Sequence, residues 1–163
     1  MPGIDPVILD GAVEVRVLTT FNGTTLTAAA FTAGVDITCD LLGDGLNRSM
    51  NENAVVIDRL CSRQTGENPG SYSESVELTY AWDPQSVLTT TAYATLVPYS
   101  TKYLAIRYGI AEGTPAVAGQ KVDVVTTKPG QRQRVPVARN EESRVTQKQF
   151  IPAGGVVQDI ALT

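Results

Sequence analysis

Histidine is absent from this 163-residue sequence, and much catalytic chemistry goes with it. Ser-His-Asp and Cys-His nucleophile systems depend on imidazole, as do the ordinary His-based zinc sites, so all of these are excluded. Cysteine is scarce. Two residues, Cys39 and Cys61, are too few for a disulfide framework; both fall in strand-like segments, and two buried free thiols are expected. Charged residues make up 18%, against an average of about 25%. Lys and Arg are scattered, never three in a run, so no concentrated basic patch is available to bind nucleic acid by counterion release. No apolar stretch approaches the roughly 20 residues that cross a bilayer, and no membrane binding is expected. The opening Met1-Pro-Gly-Ile-Asp-Pro lacks the basic end and apolar run of a secretion signal. Aromatics are 6%, with one Trp.

What fills the space is neutral and polar, with Thr the commonest such residue. Thr and Val are branched at Cβ, which costs rotamer freedom in a helix and little in a strand. The length suits one domain of roughly 100 to 200 residues. The expected division is an N-terminal arm over residues 1–11, punctuated by proline, followed by one β-rich domain over 12–163.

Along the chain, Val13, Val15 and Val17 alternate with Glu14 and Arg16, which predicts a strand with one wet face. Asn22-Gly23 predicts a turn leading into a second β arm over 25–32. Ile37, Cys39 and Leu41 alternate again, and Gly43-Asp-Gly45 is expected to end that strand. The Asn-rich stretch 46–53 and the polar stretch 62–75 read as loop on either side of a strand at 54–61. Val76, Leu78, Tyr80 and Trp82 predict a strand with a large apolar face. Asp83-Pro84 is a helix start, and Leu88, Ala92 and Leu96 at four-residue spacing predict one short helix over 84–97. Further strands are expected at 102–110, 121–127 and 131–139, with a turn at Lys128-Pro-Gly130. A last pair is expected at 144–151 and 156–162. The total of nine or ten strands with one helix predicts a mainly β fold, a single-domain β-sandwich or half-barrel with one short flanking α-helix.

Of the chemistry left, paired-carboxylate glycoside hydrolysis needs only two acids, and Asp36, Asp40, Asp58, Glu74 and Glu77 lie in or near strands; solvated strand faces explain them as well. Asp40, Asp44 and Gly45 lack the acid spacing and distal Glu of a calcium loop. No phosphate loop or dinucleotide fingerprint occurs. No catalytic, cofactor-binding or metal-binding residue is assigned.

Several segments together resemble the major tail tube proteins of long, non-contractile-tailed bacteriophages. These are Ile37-Thr-Cys-Asp-Leu-Leu-Gly-Asp-Gly-Leu-Asn-Arg-Ser-Met-Asn-Glu-Asn53, Asp58-Arg-Leu-Cys-Ser-Arg-Gln-Thr65, Ser75-Val-Glu-Leu-Thr-Tyr80, Ala92-Tyr-Ala-Thr-Leu96, Tyr103-Leu-Ala-Ile-Arg-Tyr-Gly109, and the closing Arg144–Ile151 with Val156–Ala161. The resemblance implies a tail-tube-like structural protein of the virion, synthesised in the host cytoplasm, with no enzymatic activity. It implies that six copies close a ring, that rings stack into a tube, and that DNA passes through the bore without sticking. Partners implied are further copies of the chain, a tape-measure protein and a tail terminator. It also implies that 43–75 is an extended contact region, with Asn47, Arg48, Met50, Asn53, Arg59 and Arg63 touching neighbours. The apolar Ile4, Val7 and Ile8 of the arm are expected to clamp another copy. Acids that alternate off apolar faces, Glu14, Glu77, Asp123 and Asp159, are candidates to face the bore and repel phosphates. The extra immunoglobulin-like domain of many relatives is not expected after the last strand.

Two other function classes stay open on the residues. A glycan-binding sandwich of a tail tip would use clustered aromatics, for which Tyr72, Tyr99, Tyr103 and Tyr108 are the material. A related tail terminator or connector protein would share the fold.

Overall fold

A computed structural model of the chain describes residues 9–61, 65–83, 85, 91–136 and 138–163. The predicted contact residues Ile4, Val7, Ile8 and Arg63, and the helix positions Pro84 and Leu88, lie outside them. The elements in order are β1 (Val13–Leu18), α1 (Ala28–Ala33), β2 (Val35–Asp36), a 3-10 turn (Thr38–Asp40), β3 (Leu41–Ile57), β4 (Gly66–Ala81), α2 (Thr91–Thr95), β5 (Lys102–Tyr108), β6 (Lys121–Arg134), β7 (Arg144–Phe150) and β8 (Val156–Ala161). Every strand pairing is antiparallel. The mainly β expectation holds, with eight strands and two short helices among the described residues.

The strands form one open, folded-over sheet organised by β6. The first half of β6 pairs with β5 and β8, and the second half pairs with β7. Order therefore runs β2-β1-β5-β6-β8 on one side and β6-β7-β4-β3 on the other. The turn expected at Lys128-Pro-Gly130 is instead an irregularity inside this strand, between Pro129 and Arg132. Proline has no N–H to lose from a ladder there, while its carbonyl accepts from Tyr99 N–H at 2.7 Å. The predicted last pair also resolves differently: β7 and β8 each pair with β6 and not with one another.

Between the two sides lies the main core. It includes Val15 and Val17 of β1, Leu104 and Ile106 of β5, Val76, Leu78 and Tyr80 of β4, and Leu96, all fully buried. Burial of such side chains stabilises by roughly 1.5–3 kcal/mol each. A second core covers the opposite face of the first side, where Leu18, Ala105, Val122 and Val124 meet Leu26 and Phe31. Here the predicted hairpin arm over 25–32 is replaced by α1. Thr27 caps it, its hydroxyl accepting from Ala30 N–H at 3.0 Å, and the run Ala28-Ala-Ala is strongly helical. The Asn22-Gly23 turn does form, with Asn22 Oδ1 accepting from the backbone N–H groups of Thr24 and Thr25.

That helix changes the character of β1. Glu14, expected on a wet face, is 1% exposed. It pairs with Arg107, which is also fully buried, and with Arg16 at 2.5 Å. Both guanidinium groups lie over the Phe31 ring, 5.5 and 5.4 Å from its centroid. Arg107 also donates to Gln120 Oε1 and to the Thr114 carbonyl, which ties the 111–120 loop down.

The strand expected over 36–42 is mostly not one. Asp36 Oδ1 accepts from Thr38 N–H at 2.9 Å, which diverts the chain into the 3-10 turn. Cys39 is therefore exposed, and so is Cys61; both are free thiols, contrary to the burial expected.

Candidate assembly surface

Gly43-Asp-Gly45 does not end a strand; it makes a wide bulge. Leu41 pairs with Tyr80 and Leu46 with Leu78, so residues 42–45 stand opposite Thr79 alone. Gly45 is required there, because a Cβ would fall on the Thr79 carbonyl. From this root β3 and β4 run out together as a ribbon that pairs from Leu46↔Leu78 to Ile57↔Gly66. A second irregularity sets Asn53 against both Gly70 and Ser71, and a Cβ on Gly70 would lie 2.5 Å from the Asn53 carbonyl. The stretches read as loop, 46–53 and 62–75, thus fall largely in paired strand.

Nearly all of the ribbon is exposed. On β3 every residue from Ser49 to Ile57 is exposed, whichever face it points to. On β4 the same holds from Gly66 to Ser73 except at Gly70; Glu74 and Ser75 are half-buried, and the buried root begins at Val76. The far end of the ribbon is apolar: Val55 and Val56 are 53% and 58% exposed, Ile57 is exposed, and Leu60 beyond the strand is fully exposed. Three consecutive exposed apolar residues place hydrocarbon on both faces, a pattern that marks an interaction site in a soluble protein.

The predicted contact residues divide. Asn47, Met50, Asn53 and Arg59 are exposed along the ribbon or just past its end, Met50 at 62%. Arg48 is not a free cation. It reaches back from the root to pair with Asp123 at 2.7 Å and touches the Tyr108 hydroxyl. Burial by itself lowers the Arg48 pKa, but the bonds to Asp123 and Tyr108 more than offset that, and the group stays charged. Val55, Val56, Ile57 and Leu60 lie inside the contact region expected over 43–75 but are not among the residues singled out there; their signal in the sequence is an unbroken apolar run where a half-buried strand would alternate.

The predicted bore acids divide as well. Glu14 is buried beneath α1 and presents no charge to solvent, because α1 covers that face. Asp123 is neutralised by Arg48, and its other oxygen accepts from Asp159 N–H at 3.0 Å. Asp159 is exposed, with Lys121 at 3.9 Å. Glu77 is exposed on the outer face of the second side, in register between Asn47 and Lys148.

That outer face is hydroxyl-rich. Ser49 pairs with Ser75 at 2.8 Å and Thr79 with Thr146 at 3.0 Å. The inner face beneath it holds a polar group that positions α2: Gln147 donates to the carbonyls of Leu96 and Gly130 and accepts from Tyr80 at 3.0 Å. Burial pushes the Tyr80 phenol above its usual range, so it remains a donor. Of the acids weighed for hydrolysis, Asp36 is engaged with Arg16 and Asp40 with Ala92 N–H at 2.6 Å, while Asp58 and Glu77 are exposed. Among the described residues no group of three or more acids or cysteines is placed to hold a metal, and no helix is long and apolar enough to cross a membrane. No ring contact joins any two of Tyr72, Tyr99, Tyr103 and Tyr108 among the described residues.

The family model described as phage tail tube protein matches residues 1–162. The chain belongs to that family. As a tail tube family protein it is a structural component of a phage tail. No curated protein sequence matches it. A chain in the cryo-EM structure of the anti-feeding prophage baseplate, 6-fold symmetrised, is similar, with 15% identity and a TM-score of 0.53 over 91% of this chain and 94% of that chain. At that identity the likeness shows the fold: this tail tube family protein shares its folded-over sheet with a baseplate component.

Proposed function

We propose that the chain is the non-catalytic building block of the tail tube of a long, non-contractile-tailed phage: six copies close a ring, rings stack, and DNA passes through the bore. The carrying observation is the β3–β4 ribbon, exposed on both faces and ended by apolar residues. A two-stranded ribbon is marginal alone in water, so a neighbour's surface is the natural source of its order. Among the described residues β3 and β8 each pair on one side only. A head-to-tail interface that closes as a ring pairs such edges with copies of themselves.

For the bore, the best candidate is the outer face of the second side. Its hydroxyls hydrogen-bond to one another across strands, and Glu77 stands directly across from the exposed Lys148, so the face offers balanced charge and no concentrated basic patch. A net charge of −4 favours a mobile polyanion. On this reading the bore holds a tape-measure protein during assembly, a terminator closes the tube, and residues 1–11 clamp a neighbour. The chain is made in the host cytoplasm and ends in the virion.

The test is negative-stain electron microscopy of the purified chain at rising concentration. Hollow rings or tubes are expected. A chain that stays monomeric throughout and binds glycans instead would replace this reading with that of a tail-tip binding module.

A further inference from the structure

At the root of the ribbon, between β1 and the start of β3, lies an open groove of about 520 Å³, within the roughly 300–1,000 Å³ of typical ligand pockets. Val13, Leu41 and Leu46 form its apolar lining, each half-buried against the main core. Asp10 and Glu112 stand on it, both exposed and neither in an ion pair among the described residues. Cys39 also lines it.

The far end of the ribbon has the complementary character. Val55, Val56, Ile57 and Leu60 are exposed and apolar, and Arg59 among them is an exposed cation with no ion pair among the described residues. The two surfaces belong to one chain but cannot meet within it. Arg48 lines the groove and Ile57 ends the strand, and at roughly 3.3 Å per residue the paired strand holds them about 30 Å apart.

We propose that the apolar tip of one copy seats in the root groove of a second copy, with Arg59 against Asp10 and Glu112. The inference rests on the reading of the ribbon as a contact between rings and adds its acceptor. Tip and groove are different surfaces, so the contact is head-to-tail: each copy keeps a free tip at one end and a free groove at the other, and the contact propagates. The ribbon then acts as the spacer between successive copies, with a step of about 30 Å or more along its length.

The chain carries its own reporters. Cys39 lies in the groove and Cys61 beside the tip, both are free and exposed, and the sequence has no other cysteine. Assembled protein treated with a short bis-maleimide is expected to give a ladder of dimers, trimers and longer products joined Cys39 to Cys61, identified by peptide mass. Cys39→Ser and Cys61→Ser are each expected to abolish the products, the dimer included. Arg59→Glu is expected to cut the ladder at least tenfold, and Asp10→Lys with Glu112→Lys in that background to restore it. Tubes in the microscope without Cys39–Cys61 products, or with no response to Arg59→Glu, would overturn the groove assignment and leave the tube reading standing. Absence of both tubes and ladder would overturn the two together. A bridge from Cys39 to a cysteine introduced by Ile4→Cys within one chain would give the groove to the N-terminal arm instead, and so overturn the proposal.

Discussion

The two-sided body and the β3–β4 ribbon are built from the same strands by opposite rules. At the root of β4, Val76, Leu78 and Tyr80 are buried and alternate with Glu77 and Thr79. A few residues further out the same strand has solvent on both faces. In the body each strand is held by packing, and register matters because a slip of one residue would turn the apolar set outward. In the ribbon the cross-strand ladder and a few side-chain hydrogen bonds such as Ser49–Ser75 hold the pair, and the apolar residues sit at the exposed end, away from the core. Stability is therefore concentrated in one region and the means of assembly in the other.

Substitutions can test that separation. The largest effect on folding is expected from Arg107→Ala, which takes one of two guanidinium partners from buried Glu14 and leaves only Arg16; breaking a buried pair costs up to about 3–5 kcal/mol, read as a lower midpoint in urea. Arg48→Glu comes next. It places a second carboxylate against Asp123 where an ion pair now stands at 2.7 Å, and a loss of about 1–3 kcal/mol is expected. It therefore does not leave the folded chain untouched, as a free surface cation would. Gly45→Ala forces the bulge at the ribbon root to open, with an expected cost of about 1–2 kcal/mol and faster amide exchange along 46–52 than in β5. The smallest effect on folding is expected from Val55→Ser, Val56→Ser and Ile57→Ser together, within about 0.5 kcal/mol in denaturation. On the assembly reading that same variant loses tubes in the microscope. A triple variant that unfolds the body, or that assembles normally, would erase the distinction between the regions.

How legible these regions were differs for the same reason. Body strands such as β1, β5 and the root of β4 carry alternation or dense apolar residues, because packing selects for it, and their positions are readable within a few residues. The ribbon carries no alternation, since neither face is buried, and Asn and Ser read locally as loop. Pro129 and Gly45 read as breaks because their usual positions are turns, whereas here each sits where a long strand changes partners or bulges. The arm after Asn22-Gly23 read as strand from its Thr residues, although Thr27 serves as a helix cap.

Absence of histidine, sparse charge and β-branched composition were decided by the sequence alone, and these properties are enough to remove the histidine-dependent catalytic classes and to favour a mainly β fold. The environment of each charge was decided only by tertiary structure. Glu14 and Glu77 occupy alternating positions in similar strands, yet one is sealed beneath a six-residue helix and the other faces solvent. Which face of a strand is covered depends on residues distant in the chain, here Phe31 and Arg107, and no local pattern around Glu14 records them.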